Sequence, residues 1–445
     1  MKKLILLPLI FICTLSLKAH SEEPLWSVDD CIRYAVANNL QLKKQFINEL
    51  DSKDELTVKS LSFLPSISAN TSVSGNFGRS IDPETNTYQS TSNMGNSYGI
   101  SGSVALFDGL RVLNGFKIAK ASKIRQEYQT QQIENQVAIS TMSVYYRAIF
   151  AHGAYRIAGQ ELSETKQLYI KKKVEYEIGL ANISDLAQLE SRVSQGEFNL
   201  TNLEGVYRKT MVELKNKINY PLKSTLQIDT LTTVENMTMQ SNEDFEIVYE
   251  LAENTLPEFK MFDADKRIAK LNLSKARASL FPSLSLNGGV STGYSQVLGG
   301  DGTHPSFADQ MKNKLGEYVS VQLNVPLFGA LSRQKQIKRM KNEIERTKIE
   351  TQEQKQELEK MIYEAIIDLE SNEKQCVQAV SNIKSNTLSY KATAAKFEEG
   401  LSSVVDVQTV QTNLSRAKID YLKSHLNYKM QRRIVDYYKG ISLIR

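Results

Sequence analysis

The sequence predicts a mainly α-helical protein with a smaller β part. Three observations predict it: four runs of strict two-residue alternation, two helical stretches far too long for a compact domain, and one pattern written twice along the chain.

The alternating runs come first. After Pro65, Ile67, Ala69, Thr71, Val73, Gly75 and Phe77 point one way, and Ser66, Ser68, Asn70, Ser72, Ser74 and Asn76 the other. Successive side chains of a strand face opposite sides, so the run at about 64–78 reads as a strand. Runs at about 98–108, 281–295 and 318–328 repeat the pattern: Tyr98, Ile100, Val104 and Leu106 oppose Ser101, Ser103 and Ala105; Leu284, Leu286 and Val290 oppose Ser285, Asn287 and Ser291; Val319, Val321 and Leu323 oppose Tyr318, Ser320 and Gln322. The polar side is small and uncharged. A half-wet soluble sheet would carry Lys or Glu there, whereas Ser and Asn suit a water-filled lumen with the apolar side toward lipid. Phe77, Tyr98, Phe281 and Tyr294 fall where an aromatic girdle belongs, near strand ends. Four strands cannot close around a channel, and open edges are not tolerated in hydrocarbon. Known bacterial barrels start at about eight strands, so several copies must share one; three would supply twelve. The polar stretches Gly78–Ser97 and Gln296–Gly316 read as long outward loops.

The helical stretches follow. From Leu110 to Ile178 there is no proline, and Gly115, Gly153 and Gly159 are the only glycines. At 1.5 Å per residue such a helix approaches about 100 Å. Ala330–Phe397 repeats this, and Ser184–Asn219 and Val404–Lys439 read as return helices. Ser27–Leu61 and Glu243–Ser279 are read as single helices leading into the strands. Gly179 and Gly400 fit the ends of incoming helices, where a left-handed residue is common. Ser184 or Asp185, and Ser403 or Asp406, sit where the next helices start and can cap them or favour their dipoles.

The duplication fixes the organisation. Glu177-Ile178-Gly179-Leu180-Ala181-Asn182-Ile183-Ser184-Asp185-Leu186 aligns with Glu398-Glu399-Gly400-Leu401-Ser402-Ser403-Val404-Val405-Asp406-Val407, and Phe107 with Phe328, both 221 residues apart; Leu64-Pro65 and Phe281-Pro282 are 217 apart. Residues 21–220 form the first repeat, with its tip at 179–185. A Thr-, Ser- and Asn-rich connector spans 221–242. Residues 243–445 form the second repeat, with its tip at 400–406.

The start of the chain bears on compartment. Lys2 and Lys3, an apolar run Leu4–Leu17, and a polar turn from Lys18 have the order of a secretory signal peptide, assigned to residues 1–20. Cys13 follows Phe11-Ile12, whereas a lipidation site calls for small residues. Without Lys2, Lys3 and Lys18 the 55 basic and 50 acidic residues become 52 and 50, which gives no reason to invoke nucleic acid. Cys31 and Cys376 lie in separate helical stretches and read as small buried hydrophobes. His152, His304 and His425 share no metal-ligand spacing, and no nucleotide-binding loop stands between a strand and a helix. No catalytic constellation, metal set or cofactor motif is legible, and the chain is not expected to be an enzyme.

Together the alternating strands, the long helices, the twofold repeat and the Gly-Leu tips resemble the TolC family of outer-membrane efflux proteins, from Trp26 to Ile441. The most specific elements are the two tip segments. The resemblance implies a homotrimer in the outer membrane with a large periplasmic part: a twelve-stranded barrel continuing into a coiled-coil-like helical tunnel. It implies a passive efflux or type I secretion duct that docks a periplasmic adaptor (membrane fusion protein) and an inner-membrane transporter of RND, ABC or MFS type. Gly179, Leu180, Ser184, Gly400, Leu401 and Ser403 would lie at the adaptor-docking tips. Asp185 and Asp406 would lie near the constricted periplasmic entrance, where three copies of a carboxylate favour cations and could bind a blocking metal ion. The chain departs from some members at three positions. Thr409 stands where they carry a second aspartate, and Phe397 and Ser402 stand where they carry a tyrosine and an arginine that close the entrance. A periplasmic adaptor would show one hairpin flanked by charged β-domains, and a trimeric surface coiled coil would show strict heptads without the duplication.

Overall fold

The computed structural model describes residues 25–81, 86–90, 92–230, 243–298, 305–329 and 331–444. The signal peptide expected at residues 1–20 lies outside the described residues, as does the connector from 231 to 242.

Helix lengths repeat in order. α1 (Val28–Asn38) and α5 (Phe245–Thr255) have 11 residues each; α2 (Leu40–Leu61) and α6 (Pro257–Ala278) have 22; α3 (Arg111–Glu177) and α8 (Ser332–Glu398) have 67; α4 (Ile183–Lys217) and α9 (Val404–Tyr438) have 35. The helices read as single lead-ins are therefore each two. Asn39 ends α1 and caps α2, its carboxamide oxygen accepting from the N–H groups of Gln41 and Leu42. Leu256 is extended ahead of Pro257, because a residue before proline is driven out of the helical region.

One four-stranded antiparallel sheet runs in the order β1 (Ser66–Asn76), β4 (Ser92–Phe107), β5 (Ser283–Leu298), β6 (Gly316–Asn324). Its register sorts the faces. Rows Ser66–Ser103–Asn287–Ser320, Ser68–Ser101–Gly289–Tyr318 and Asn70–Gly99–Ser291–Gly316 form one face; Ile67–Gly102–Gly288–Val319 and Ala69–Ile100–Val290–Glu317 form the other. Cross-strand hydroxyls pair on the first face: Ser66 with Ser103 at 3.0 Å, Ser68 with Ser101 at 3.2 Å and Ser72 with Ser97 at 2.7 Å. The second face leaves Ile67, Val73, Val319 and Leu323 exposed to 63–81%.

The structure corrects several strand and loop assignments. β4 begins at Ser92, so Tyr98 stands in mid-sheet between Thr71 and Thr292 rather than near a strand end. Residues Ser92–Ser97 pair in the sheet instead of belonging to a loop. A bulge between Ala105 and Phe107 turns Phe107, not Leu106, into the row of Leu284. β6 stops at Asn324. Two loops also hold structure: a small hairpin, β2 (Arg79–Ile81) with β3 (Tyr88–Ser90), and a short helix, α7 (Phe307–Asn313). Gln310 of α7 serves the edge of β5 above the end of β6. Its carboxamide accepts from Ser295 N and donates to Ser295 O, both at 3.0 Å, as a paired strand would.

The core sits midway along the long helices. There α5, α6, α8 and α9 bury Val248, Phe259, Ile362, Leu369 and Val435 against Ala138 and Met142 of α3. On the other side α1, the end of α4 and the segment after it bury Cys31, Ala35, Leu214 and Ile228 against α3. Trp26 bridges Ile228, and the Tyr145 hydroxyl donates to the carbonyl of Trp26 at 3.0 Å. Cys31 and Cys376 are both free and buried, and burial pushes the Cys31 thiol up to about 12.

Close approach of α3 and α9 depends on Gly153, where a Cβ would stand 2.3 Å from Leu422 Cδ2. Gly153→Val should destabilise the protein by about 1–3 kcal/mol. Adding Leu422→Ala should recover part of that loss, and thermal unfolding of the single and double variants checks it.

Candidate functional site: the hairpin tips

Each long helix turns back through a glycine in the left-handed region, Gly179 at φ 78° and Gly400 at φ 75°. The two turns are built alike. Leu180 N donates to Glu175 O at 2.8 Å and Gly179 N to Tyr176 O at 3.0 Å; Leu401 N donates to Lys396 O at 2.8 Å and Gly400 N to Phe397 O at 3.1 Å. This pair of bonds satisfies carbonyls the helix end would otherwise strand, and only glycine takes that backbone without strain. A leucine following such a glycine usually packs back onto its own helix. Here Leu180 is 77% exposed and Leu401 73%, so both tips present a bare apolar side chain.

The return helices are capped differently. Ser403 caps α9 in a reciprocal box: its hydroxyl accepts from Asp406 N at 3.1 Å, and its N–H donates to Asp406 Oδ2 at 2.9 Å. The hydroxyls of Ser403 and Ser402 also donate to that oxygen, at 2.7 and 3.2 Å. These bonds, the Ser403 hydroxyl first, hold the Asp406 carboxyl below the usual carboxylate range. In α4 neither Ser184 nor Asp185 is the cap. Asn182 takes that place, its side chain accepting from Ser184 N at 3.0 Å. Asp185 lies in the first turn, with no ion pair among the described residues. Asparagine caps a helix as readily as serine does, and Asn182 stands at the position that Ser403 holds in the second tip.

The three departures from the family pattern have local roles. Phe397 is 8% exposed, packed with Leu189, Val404 and Val407 beneath the tips, with the Lys172 ammonium 4.7 Å from its ring centre. It holds the two hairpins together by burial where a tyrosine could donate a hydrogen bond. The Thr409 hydroxyl donates back to Val405 O at 2.8 Å, and Ser402 serves Asp406. Higher up, the Tyr390 hydroxyl donates to Glu164 at 3.1 Å, Gln411 donates to Glu161 O at 3.2 Å, and Arg192 bonds Thr412 across the hairpins. The sequence reading missed these contacts. An open groove of about 560 Å³ between α4 and α9, lined by Ser184, Gln188, Arg192, Val405 and Gln408, runs up from the tips.

Loss of the box should loosen one helix start and leave the other alone. Asp406→Ala is expected to speed amide hydrogen exchange in the first turn of α9; Asp185→Ala should leave the first turn of α4 unchanged. Equal effects in exchange mass spectra would contradict this account of the caps.

Comparison with known proteins places this geometry. Residues 248–434 match the family model of outer membrane efflux proteins. No curated protein matches the sequence. Among solved structures, the chain superposes on VceC, an outer membrane protein of Vibrio cholerae, with a TM-score of 0.78, 9% identity, and 94% of this chain and 96% of that one covered. The Campylobacter jejuni outer membrane channel CmeC gives 0.77, 16%, and 93% and 85%. CusC, described for its folding and transmembrane channel formation, gives 0.76, 16%, and 93% and 92%. Residues 248–434 thus carry the outer membrane efflux signature, and nearly the whole chain has the fold of these outer membrane channels.

Proposed function

We propose that three copies of this chain close a twelve-stranded outer-membrane barrel, continue it as a periplasmic helical tunnel, and serve as the passive duct of a tripartite efflux or type I secretion assembly. The observation that carries the proposal is a lipid-ready sheet with two open edges. Both β1 and β6 lack an outer neighbour among the described residues. Strands alternate in direction across the sheet. A following copy's β1 therefore meets β6 antiparallel, and closure needs no strand to be reversed. The inner face offers Ser, Asn, Gly and Gln without a formal charge, a lining that passes varied cargo. An adaptor protein's charged β-domains have no counterpart among the described residues, and the two hairpins differ from an adaptor's one. In this reading 21–220 and 243–445 are duplicated repeats joined by 221–242.

Gly179, Leu180, Ser184, Gly400, Leu401 and Ser403 would form the surface that a periplasmic adaptor meets, the exposed leucines acting as anchors. The inner-membrane transporter, of RND, ABC or MFS type, would supply the energy. Asp185 and Asp406, three copies of each, would ring the entrance and attract divalent cations.

Leu180→Asp with Leu401→Asp should abolish export in cells while trimers still reach the outer membrane. Normal export by that variant would remove the tips from docking. In planar bilayers, Asp406→Ala with Asp185→Ala should weaken block by divalent cations. A carboxyl held below its ordinary value of 3.8 keeps its charge as the pH falls toward that value. Wild-type block should therefore persist down to about pH 4, and block unchanged in the double variant would take both aspartates out of the entrance.

A further inference from the structure

The charges of the helices are sorted by end. Over the ten residues of α2, α3, α6 and α8 next to the sheet, 13 are Lys or Arg and 2 are Asp or Glu; over the ten residues of α3, α4, α8 and α9 next to the tips, the counts are 6 and 6. The whole chain carries 55 and 50, so the excess at the sheet end is local.

Within that end, α3 and α6 matter most. They are the inner members of the row α2–α3–α6–α8 and have a helix on either side within the chain. The first ten residues of α3 and the last ten of α6 hold no acidic residue. Lys117, Lys120, Lys275 and Arg277 are exposed, and none has an ion-pair partner among the described residues. Arg111, by contrast, lies 3.8 Å from Asp108, whose carboxylate accepts from the N–H groups of Arg111 and Val112 at the start of α3. The five cations of α8 stand at the open edge of the row, where a neighbouring copy's α2 would meet them, so the cations free of such a neighbour are those of α3 and α6, with Lys275 and Arg277 on opposite sides of α6.

An apolar collar lies directly above these cations. Leu280 and Phe281, between α6 and β5, are 48% and 55% exposed; Phe107, the last residue of β4, and Leu110, just before α3, are 43% and 55% exposed. Phe107 shares its row with Leu284 and Leu323, so the collar continues the apolar face of the sheet. Lys120 is nine residues into α3, about 14 Å from its start. That distance is within the reach of a headgroup layer and one screening length of about 8 Å.

We infer that this collar and the cations beneath it form a binding surface for anionic phospholipid headgroups in the leaflet facing the helices. The inference rests on the outer-membrane reading. Exposed apolar side chains mark the hydrocarbon boundary, and each nearby cation attracts a negatively charged membrane surface. Long Lys and Arg side chains can raise their charged ends to that boundary.

The experiment is native mass spectrometry of the purified protein with phosphatidylglycerol and phosphatidylcholine offered in equal amounts, beside single-channel recording of the same preparations. Wild type should retain phosphatidylglycerol at least about tenfold over phosphatidylcholine, since each interfacial cation is worth about fivefold. The preference should fall as salt is raised to 1 M. Lys117→Gln, Lys120→Gln, Lys275→Gln and Arg277→Gln together should bring the two lipids near parity with conductance unchanged. Equal retention by wild type, or an undiminished preference in the variant, would overturn the inference. So would a variant with altered ion selectivity and unaltered lipid retention, which would place the cations in the lumen. A wild-type protein that neither inserts nor conducts would instead refute the channel reading itself.

Discussion

An unpaired strand edge in hydrocarbon strands a row of N–H and C=O groups with no water to serve them. Each such group costs several kcal/mol, approximately, which is why open sheets do not live in membranes. This chain folds a sheet with an apolar face and two such edges, β1 and β6. On the proposed reading, the rest of the architecture answers that constraint. Sharing a barrel among copies removes the edges. A lumen wide enough for cargo then has to continue below the membrane, and the row α2, α3, α6 and α8, each joined to a strand, continues it. Where β6 is too short to cover β5, Gln310 supplies the missing pair of hydrogen bonds from a side chain.

Stability and function are separated along the long axis. The large clusters of buried residues lie at mid-length, where short helices wrap α3, α8 and α9. The tips have only a small cluster around Phe397 and are otherwise held by caps and a few polar contacts between hairpins. Few buried contacts favour local opening over global unfolding. An end built this way can move without disturbing the core at mid-length, which on the proposed reading suits an entrance that a partner opens.

Much of this was legible in the sequence, for physical reasons. Alternation of Ser with Ile, Val and Leu survives into the register because the two faces of the sheet, lumen and lipid on the proposed reading, impose opposite demands on neighbouring residues. Helices of 67 residues announce themselves by lacking proline. Gly179 and Gly400 were readable because a left-handed turn leaves few alternatives. What failed depended on competition or on distant partners. Ser92–Ser97 has a loop's composition, yet pairs because β1 and β5 lie on either side of it. Asn39 and Leu256 break helices whose hydrophobic period runs on past them. Ser184 has the chemistry of a cap, but Asn182 takes the role first. The contacts of Phe397 and Gln310 join segments whose proximity no local pattern encodes.

The claim on which everything else stands is that one barrel is shared by three chains. Light scattering on the detergent-extracted protein, with the detergent's mass subtracted, tests it most directly. A protein mass of three chains per particle is the predicted result; a monomer that stays soluble without detergent would contradict the shared barrel.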